Sequence, residues 1–164
     1  MSDAAFGNLC DGVSSGAGYV VFLVGEQHRC VPLCWKSNKI QRKVNSASAA
    51  ETLALRSAVD HAIMLQKLLK TMLCSSSDFQ IKAWIDSNNL MTALHNTTQV
   101  EDKRLRIDIA YIKDCMTQNE INVFWCRGKS MLADCLTKTG CASDNLLQVV
   151  STGSLEGHYV VSGK

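Results

Sequence analysis

With 164 residues, 46% of them hydrophobic, the chain is long enough for one compact domain with a sizeable core and short for two. One proline, ten glycines and no long polar or repetitive tract exclude a linker-rich or disordered chain. A formal net charge of +2 neither demands nor excludes a polyanionic partner, so any nucleic-acid site has to be a local patch.

Residues 2–9 are expected to form a first strand, followed by turn-forming Asp11-Gly12 and Ser14-Ser15-Gly16. The apolar, β-branched run 16–24 reads as a central strand closed by Gly25, and 30–36 as a third, giving an antiparallel meander. At Ser46 or Ser48 the period changes. Ala50, Leu53, Ala54, Ala58, Ala62, Leu65, Leu68 and Leu69 then mark one broad stripe of a helix reaching about residue 73.

The serine cluster 74–78 ends that helix, and residues 79–85 alternate as a fourth strand closed by Asp86. A short helix over 87–95, a break at 96–98 and a longer helix over 102–118 come next, then a fifth strand at 121–126. A last helix is predicted over 131–150, interrupted near Thr139-Gly140. The order suits a mixed sheet, three antiparallel strands then two parallel, flanked by helices. Residues 1–150 form the domain, and 151–164, with a short Tyr159-Val160-Val161 run, a peripheral or mobile tail.

Eight cysteines lie scattered through apolar segments with no leader before them, which points to reduced, mostly buried thiols. His28, Cys30 and Cys34 are the nearest approach to a zinc motif, but no second ligand pair of similar spacing follows; packing of Cys30, Pro32 and Cys34 on one strand face is the competing explanation. No apolar run approaches the roughly 20 residues that span a bilayer. The histidines at 28, 61, 95 and 158 are read as surface or packing residues.

Four carboxylates fall where strands meet helices or turns: Asp3, Glu51, Asp86 and Asp134. In the predicted topology the first and fourth strands are parallel neighbours, so Asp3 and Asp86 sit side by side. Glu51 approaches from the long helix and Asp134 from the far side. Four clustered acids repel one another unless cations neutralise them or their pKa values rise, and oxygen ligands favour Mg²⁺ or Mn²⁺. Two such ions roughly 4 Å apart can activate water on one side of a phosphodiester and stabilise the leaving oxygen on the other. Each acid also has an ordinary reading: Asp3 in a terminal turn, Glu51 and Asp134 in a helix's first turn, Asp86 as a cap.

The words around these acids are Ser2-Asp3-Ala4 with Phe6-Gly7, Trp35-Lys36-Ser37 before a basic turn, Ala50-Glu51 with Ala54-Leu55, and Leu132-Ala133-Asp134-Cys135-Leu136-Thr137-Lys138. In this order the sequence resembles ribonuclease H, specifically the domain that ends the polyprotein of copia-type long-terminal-repeat retrotransposons, over residues 2–147. The resemblance implies a ribonuclease H-like fold and a metal-binding catalytic quartet of Asp3, Glu51, Asp86 and Asp134. Asp3 and Asp86 would hold or bridge two Mg²⁺ ions, with Mn²⁺ as the alternative; Glu51 would serve the leaving-group side and Asp134 the nucleophile side. It also implies hydrolysis of the RNA strand of RNA/DNA hybrids to 5′-phosphate and 3′-hydroxyl ends. The implied partner is a linked or associated reverse transcriptase, and Asp3 so near the N-terminus fits a domain cut from a longer chain. The isolated domain is expected to be monomeric, without a membrane, in the cytoplasm within retroelement particles or polyprotein, with the nucleus as the other location.

Hybrid selectivity calls for small polar side chains near a minor groove, and Ser46, Ser48, Ser87 and Asn88 are the candidates, helix capping being their plain alternative. Ala47 and Ser48 stand where relatives often carry asparagine. Phosphate contacts are expected from Arg127 and Lys129 beside Asp134, ahead of the basic stretch 36–43 and of Lys103, Arg104 and Arg106. Relatives often place a mobile histidine in the loop before the last aspartate. Cys126-Arg127-Gly128-Lys129-Ser130 has none, so proton transfer or product release differs here. Two other functions stay open: a catalytically weak domain that binds nucleic acid or packs on a polymerase, and a metal-dependent DNA nuclease or strand-transfer enzyme of the same broad fold.

Overall fold

The computed structural model describes residues 1–9, 12–73, 79–96, 102–138 and 140–157. Three antiparallel strands open the chain: β1 (Ser2–Ala5), β2 (Gly16–Val24) and β3 (Cys30–Lys39), with β2 in the middle. Helix α1 (Ala47–Met72) follows, then β4 (Ile81–Ile85), α2 (Asn88–His95), α3 (Lys103–Thr117), β5 (Ile121–Trp125) and α4 (Asp144–Thr152). β4 and β5 pair in parallel. This is the mixed arrangement that the sequence predicts, but the backbone ladder divides it. β1 packs beside β4 without a hydrogen-bonded ladder between them among the described residues. With four residues, β1 has few bonds to offer, and the carboxylates of Asp3 and Asp86 repel across the seam.

The sheet region is covered on both faces. α1, α2 and α3 enclose a core with β4 and β5 that includes the fully buried Leu55, Ile85, Leu90, Ile112 and Ile121. A second cluster, Val20, Cys30, Leu132, Val149 and Leu155, lies under α4. α1 starts at Ser46, whose hydroxyl accepts the Ala49 N–H at 3.1 Å, and its alanines bring it close to the strands: Ala50 and Ala54 pack on Ala4 and Ala17. α3 is tied to α1 by Asp108, which is buried and accepts from both Arg42 and Arg56. Arg42, grouped by sequence with phosphate-neutralising charge, is therefore engaged in an internal ion pair.

One expectation is corrected at the C-terminal end. The helix predicted over 131–150 is instead one short 3₁₀ turn (Asp134–Leu136), which follows another at Gly128–Ser130, and then α4. The main-chain oxygens of Leu136 and Thr137, which a continuing helix would use, accept from Ser37 Oγ and from Asn8 Nδ2 (2.7 Å) respectively. Residues 151–157, read as the start of a peripheral or mobile tail, are largely exposed but are tied to the domain at several points. α4 runs to Thr152, Gly153 takes the left-handed C-cap at φ 63°, Cys30 N–H donates to the Gly153 carbonyl at 2.8 Å, and Leu155 is buried. The expected breaks at 74–78, 97–98 and Thr139, together with His158 and the Tyr159-Val160-Val161 run, lie outside the described residues.

The face predicted for Cys30, Pro32 and Cys34 is also revised. Val21 pairs with Cys34 and Phe22 with Pro32, so Leu33 is an extra residue in β3, a bulge that puts Cys34 on the face opposite Cys30. Two cysteines on opposite faces of a strand cannot share a metal ion. β3 is an edge strand, where Pro32 with no N–H is tolerated. No helix of the described residues is long and apolar enough to cross a membrane.

Candidate active site

Asp3, within β1, Asp86, just past the carboxyl end of β4, and Glu51 of α1 converge. Each offers one oxygen, and the three oxygens lie within 4.8 Å of one another. Asp3 sits in β1 opposite Gly18 and is 1% exposed. Glu51 is in the first turns of α1, held over β1 by the alanine contacts, and the Ala4 N–H reaches its carboxylate. Asp86 directly follows β4. Its main chain is fixed by Trp125 Nε1 donating to its carbonyl at 3.0 Å and by the Cys126 N–H donating to the preceding Ile85 carbonyl at 2.8 Å.

The electrostatics are those of acids crowded without enough positive charge. Burial, with smaller contributions from Asp134 and Asp86, pushes Asp3 up to about 6, against a hydrogen bond from Thr137 and the charge of Lys138. Glu51 is pushed up to about 8 by burial and then by the charges of Asp3 and Asp86. Asp86 is raised by burial and by Asp134. Glu51 Oε2 is buried with no hydrogen-bond partner. A buried carboxylate oxygen without a donor, beside two more carboxylates, fits a hard divalent cation: the ion supplies the missing charge and a ligand position together.

Asp134 stands outside this three-way group. It opens the 3₁₀ turn, and its Oδ1 accepts from Lys138 Nζ at 2.6 Å, yet its charge reaches both Asp3 and Asp86. Lys138 is the positive charge of the site. Burial alone would lower its pKa, but the hydrogen bond to Asp134 and the carboxylates of Asp3, Asp134 and Asp86 outweigh that and raise it.

The turn carrying Asp134 and Lys138 is fastened to the rest of the site. Thr137, itself buried, donates its hydroxyl to Asp3 Oδ2 and lies 3.1 Å from the Asp134 carbonyl oxygen. Gly18 is what lets the turn come so close: a Cβ there would stand 2.7 Å from Leu136 Cβ and 2.9 Å from Thr137 Cγ2. Sequence reasoning missed Gly18, Thr137 and Lys138 as site residues. The i,i+4 spacing of Asp134 and Lys138 was the visible signal for the ion pair; the approach of the turn to Gly18 leaves no local trace.

The other predicted positions form the rim. Ser46 caps α1 and Ser87 caps α2, accepting the Leu90 N–H at 3.3 Å, so the capping reading holds for both hydroxyls. Ser48 is three residues before Glu51, its carbonyl accepting from Thr52, and Asn88 is exposed at the start of α2. Arg127 and Lys129 are exposed on the loop whose Gly128 faces Asp86; a Cβ on Gly128 would lie 3.4 Å from Asp86 Oδ2.

A search of family models and of curated proteins finds no match. Solved structures do match. RNase H1 from the halophilic archaeon Halobacterium salinarum NRC-1 superimposes with a TM-score of 0.58 at 18% identity, over 83% of this chain and 90% of that one. LC11-RNase H1 in complex with an RNA/DNA hybrid gives 0.59 at 20% identity, over 89% and 96%. A second structure of LC11-RNase H1, isolated from compost by a metagenomic approach, gives 0.58 at 19% over 89% and 94%. The chain therefore has a ribonuclease H-like fold. On that fold it carries a carboxylate cluster suited to a divalent metal.

Proposed function

We propose that the chain is a metal-dependent endoribonuclease that hydrolyses the RNA strand of RNA/DNA hybrids, leaving 5′-phosphate and 3′-hydroxyl ends. The observation that carries this reading is the meeting of Asp3, Glu51 and Asp86 within 4.8 Å on a ribonuclease H-like fold. One similar structure, that of LC11-RNase H1, holds an RNA/DNA hybrid.

In this reading Asp3, Glu51 and Asp86 would hold a divalent ion, Mg²⁺ or Mn²⁺, and Asp134 with Asp3 or Asp86 would hold a second. Bound, the ions supply an activated water and charge stabilisation at a phosphodiester. The chain's own residues do the positioning. Thr137 fixes the Asp3 carboxylate, Gly128 keeps the 127–130 loop against Asp86, and Arg127 and Lys129 offer exposed cations for phosphates. Ser48 and Asn88 are the rim groups with polar capacity left for 2′-hydroxyls, whereas Ser46 and Ser87 already spend theirs on helix caps. The sequence phrases around the acids support a role in retrotransposon reverse transcription beside a reverse transcriptase, in the cytoplasm.

A second reading, a catalytically weak domain that binds nucleic acid, is favoured by one observation: Asp134 is engaged by Lys138 instead of joining the other acids. Cleavage of a labelled RNA/DNA hybrid with Mg²⁺ or Mn²⁺, beside duplex DNA and duplex RNA, separates the readings. The proposal expects metal-dependent cut RNA in the hybrid alone and none with Asp86→Asn. Hybrid binding without cutting supports the second reading, and equal cutting of duplex DNA indicates a DNA nuclease.

A further inference from the structure

We infer that Lys138 is a tethered internal cation that competes with a divalent ion for Asp134, so that loading of the second metal requires Lys138 to let go. The inference rests on the metal-centre reading above and adds a competitor built into the chain.

Lys138 Nζ is 2.6 Å from Asp134 Oδ1, the kind of oxygen a divalent ion would take. The same ammonium bears electrostatically on Asp3, Glu51 and Asp86, so it serves the whole group and not one partner. Its backbone is held in place. The turn is pinned by Thr137 to Asp3, by Ser37 to the Leu136 carbonyl and by Asn8 to the Thr137 carbonyl. Yet the side chain is 45% exposed, so it can swing into solvent without disturbing any packed element.

Charge decides the order of events. One divalent ion among Asp3, Glu51 and Asp86 leaves negative charge at the site, which Lys138 on Asp134 helps to balance. Two divalent ions already neutralise four carboxylates. The ammonium is then surplus charge close to a cation, and it occupies the oxygen that the second ion needs. The first ion is thus accepted with Lys138 in place and the second only against it.

The test is Mn²⁺ binding to the full chain, followed calorimetrically and by the spectroscopic signal of free Mn²⁺, with melting temperature recorded for every variant. Lys138→Gln is expected to tighten the weaker Mn²⁺ step by about three- to fivefold, the scale of a partly exposed ion pair. Lys138→Arg keeps the charge and is expected to behave as wild type. In an Asp134→Asn background the tightening is expected to shrink, because the contested oxygen is gone. A lysine that merely fastens the turn would lower the melting temperature and leave Mn²⁺ affinity unchanged, which would overturn the inference; so would weaker binding in Lys138→Gln. Wild type that binds two ions and cuts hybrid, with Lys138→Gln unshifted, removes only this inference. Wild type that binds no Mn²⁺ removes the metal-centre reading as well.

Discussion

β1 and β4 run side by side, and the two ends of their seam are built on opposite principles. At one end, Asp3 and Asp86 face Glu51, and the neighbouring segments are fastened by named contacts. Thr137, Ser37 and Asn8 hold the turn, Trp125 and the Cys126 amide hold the main chain at Asp86, and Gly18 clears the space. At the other end the seam opens into a cavity of about 570 Å³ between β2, β4 and α1 from Leu55 to Leu69, lined by Leu23, Leu65, Leu69, Phe79 and Ile81 among others. The first region is tightly positioned and crowded with carboxylates; the second is loosely filled and lined mainly by apolar side chains, with the buried Met1 ammonium and Ser2 hydroxyl at its edge. The comparison teaches that order and stability come from different places here. The carboxylate end is precise because side chains from distant elements over-determine it, although its charges oppose folding in the absence of metal.

Neutralising an acid should separate the two properties most sharply. Asp86→Asn is expected to cut hybrid cleavage at least about a hundredfold, the loss seen when one preorganised electrostatic group is removed from an active site. The same change is expected to raise the melting temperature of the metal-free protein by relieving repulsion with Asp3 and Glu51. Paired cleavage and melting curves check both signs; a fall in both would show that the site is not strained.

Gly18→Ala strikes the fastening. The added methyl collides with Leu136 and Thr137, so a loss of about 1–3 kcal/mol in denaturant unfolding is expected, with hybrid cleavage reduced because the turn carrying Asp134 moves off β2. Thr137→Val keeps the shape but removes the donor to buried Asp3, at a cost of about 1–2 kcal/mol. Because that hydroxyl lowers the Asp3 pKa, its removal should shift the acidic limb of the cleavage–pH profile to higher pH. The smallest effect belongs to the other end. Ala62→Leu, filling the cavity from α1, is expected to add about 0.5–1 kcal/mol of stability and leave cleavage unchanged.

Much of the fold was legible because it rests on local pattern. The alanine and leucine stripe from Ala50 to Leu69 predicts α1, and the β-branched run at 16–24 predicts β2 at its observed bounds. The convergence of Asp3, Glu51 and Asp86 followed from strand order. What was not legible depends on partners far away in the chain. The 131–150 region has a helix-like composition, but its carbonyls are taken by Asn8 and Ser37, residues over 90 positions earlier in sequence. The β3 bulge at Leu33 has no glycine to announce it. Asp134 was expected among the other acids, and the competitor that holds it, Lys138, lies in the same short phrase, where composition alone cannot separate a phosphate contact from an internal ion pair.

The central claim is that Asp3, Glu51 and Asp86 form a divalent-metal centre, and the most direct measurement is the melting temperature against pH with and without Mn²⁺. Without metal, acids whose folded pKa is raised above the usual 3.8 and 4.5 hold protons that the unfolded chain has lost. Their contribution is fully present below those usual values and is lost as pH rises through about 6 for Asp3 and about 8 for Glu51. The metal-free melting temperature should therefore fall across this window, and Mn²⁺ should restore it most strongly at its upper end, where the carboxylates are ionised and free to bind. Asp3→Asn combined with Asp86→Asn should make the fall shallower, leaving the part that burial of Glu51 causes, and abolish the rescue. A wild-type protein whose melting temperature ignores millimolar Mn²⁺ at about pH 8 would contradict the account.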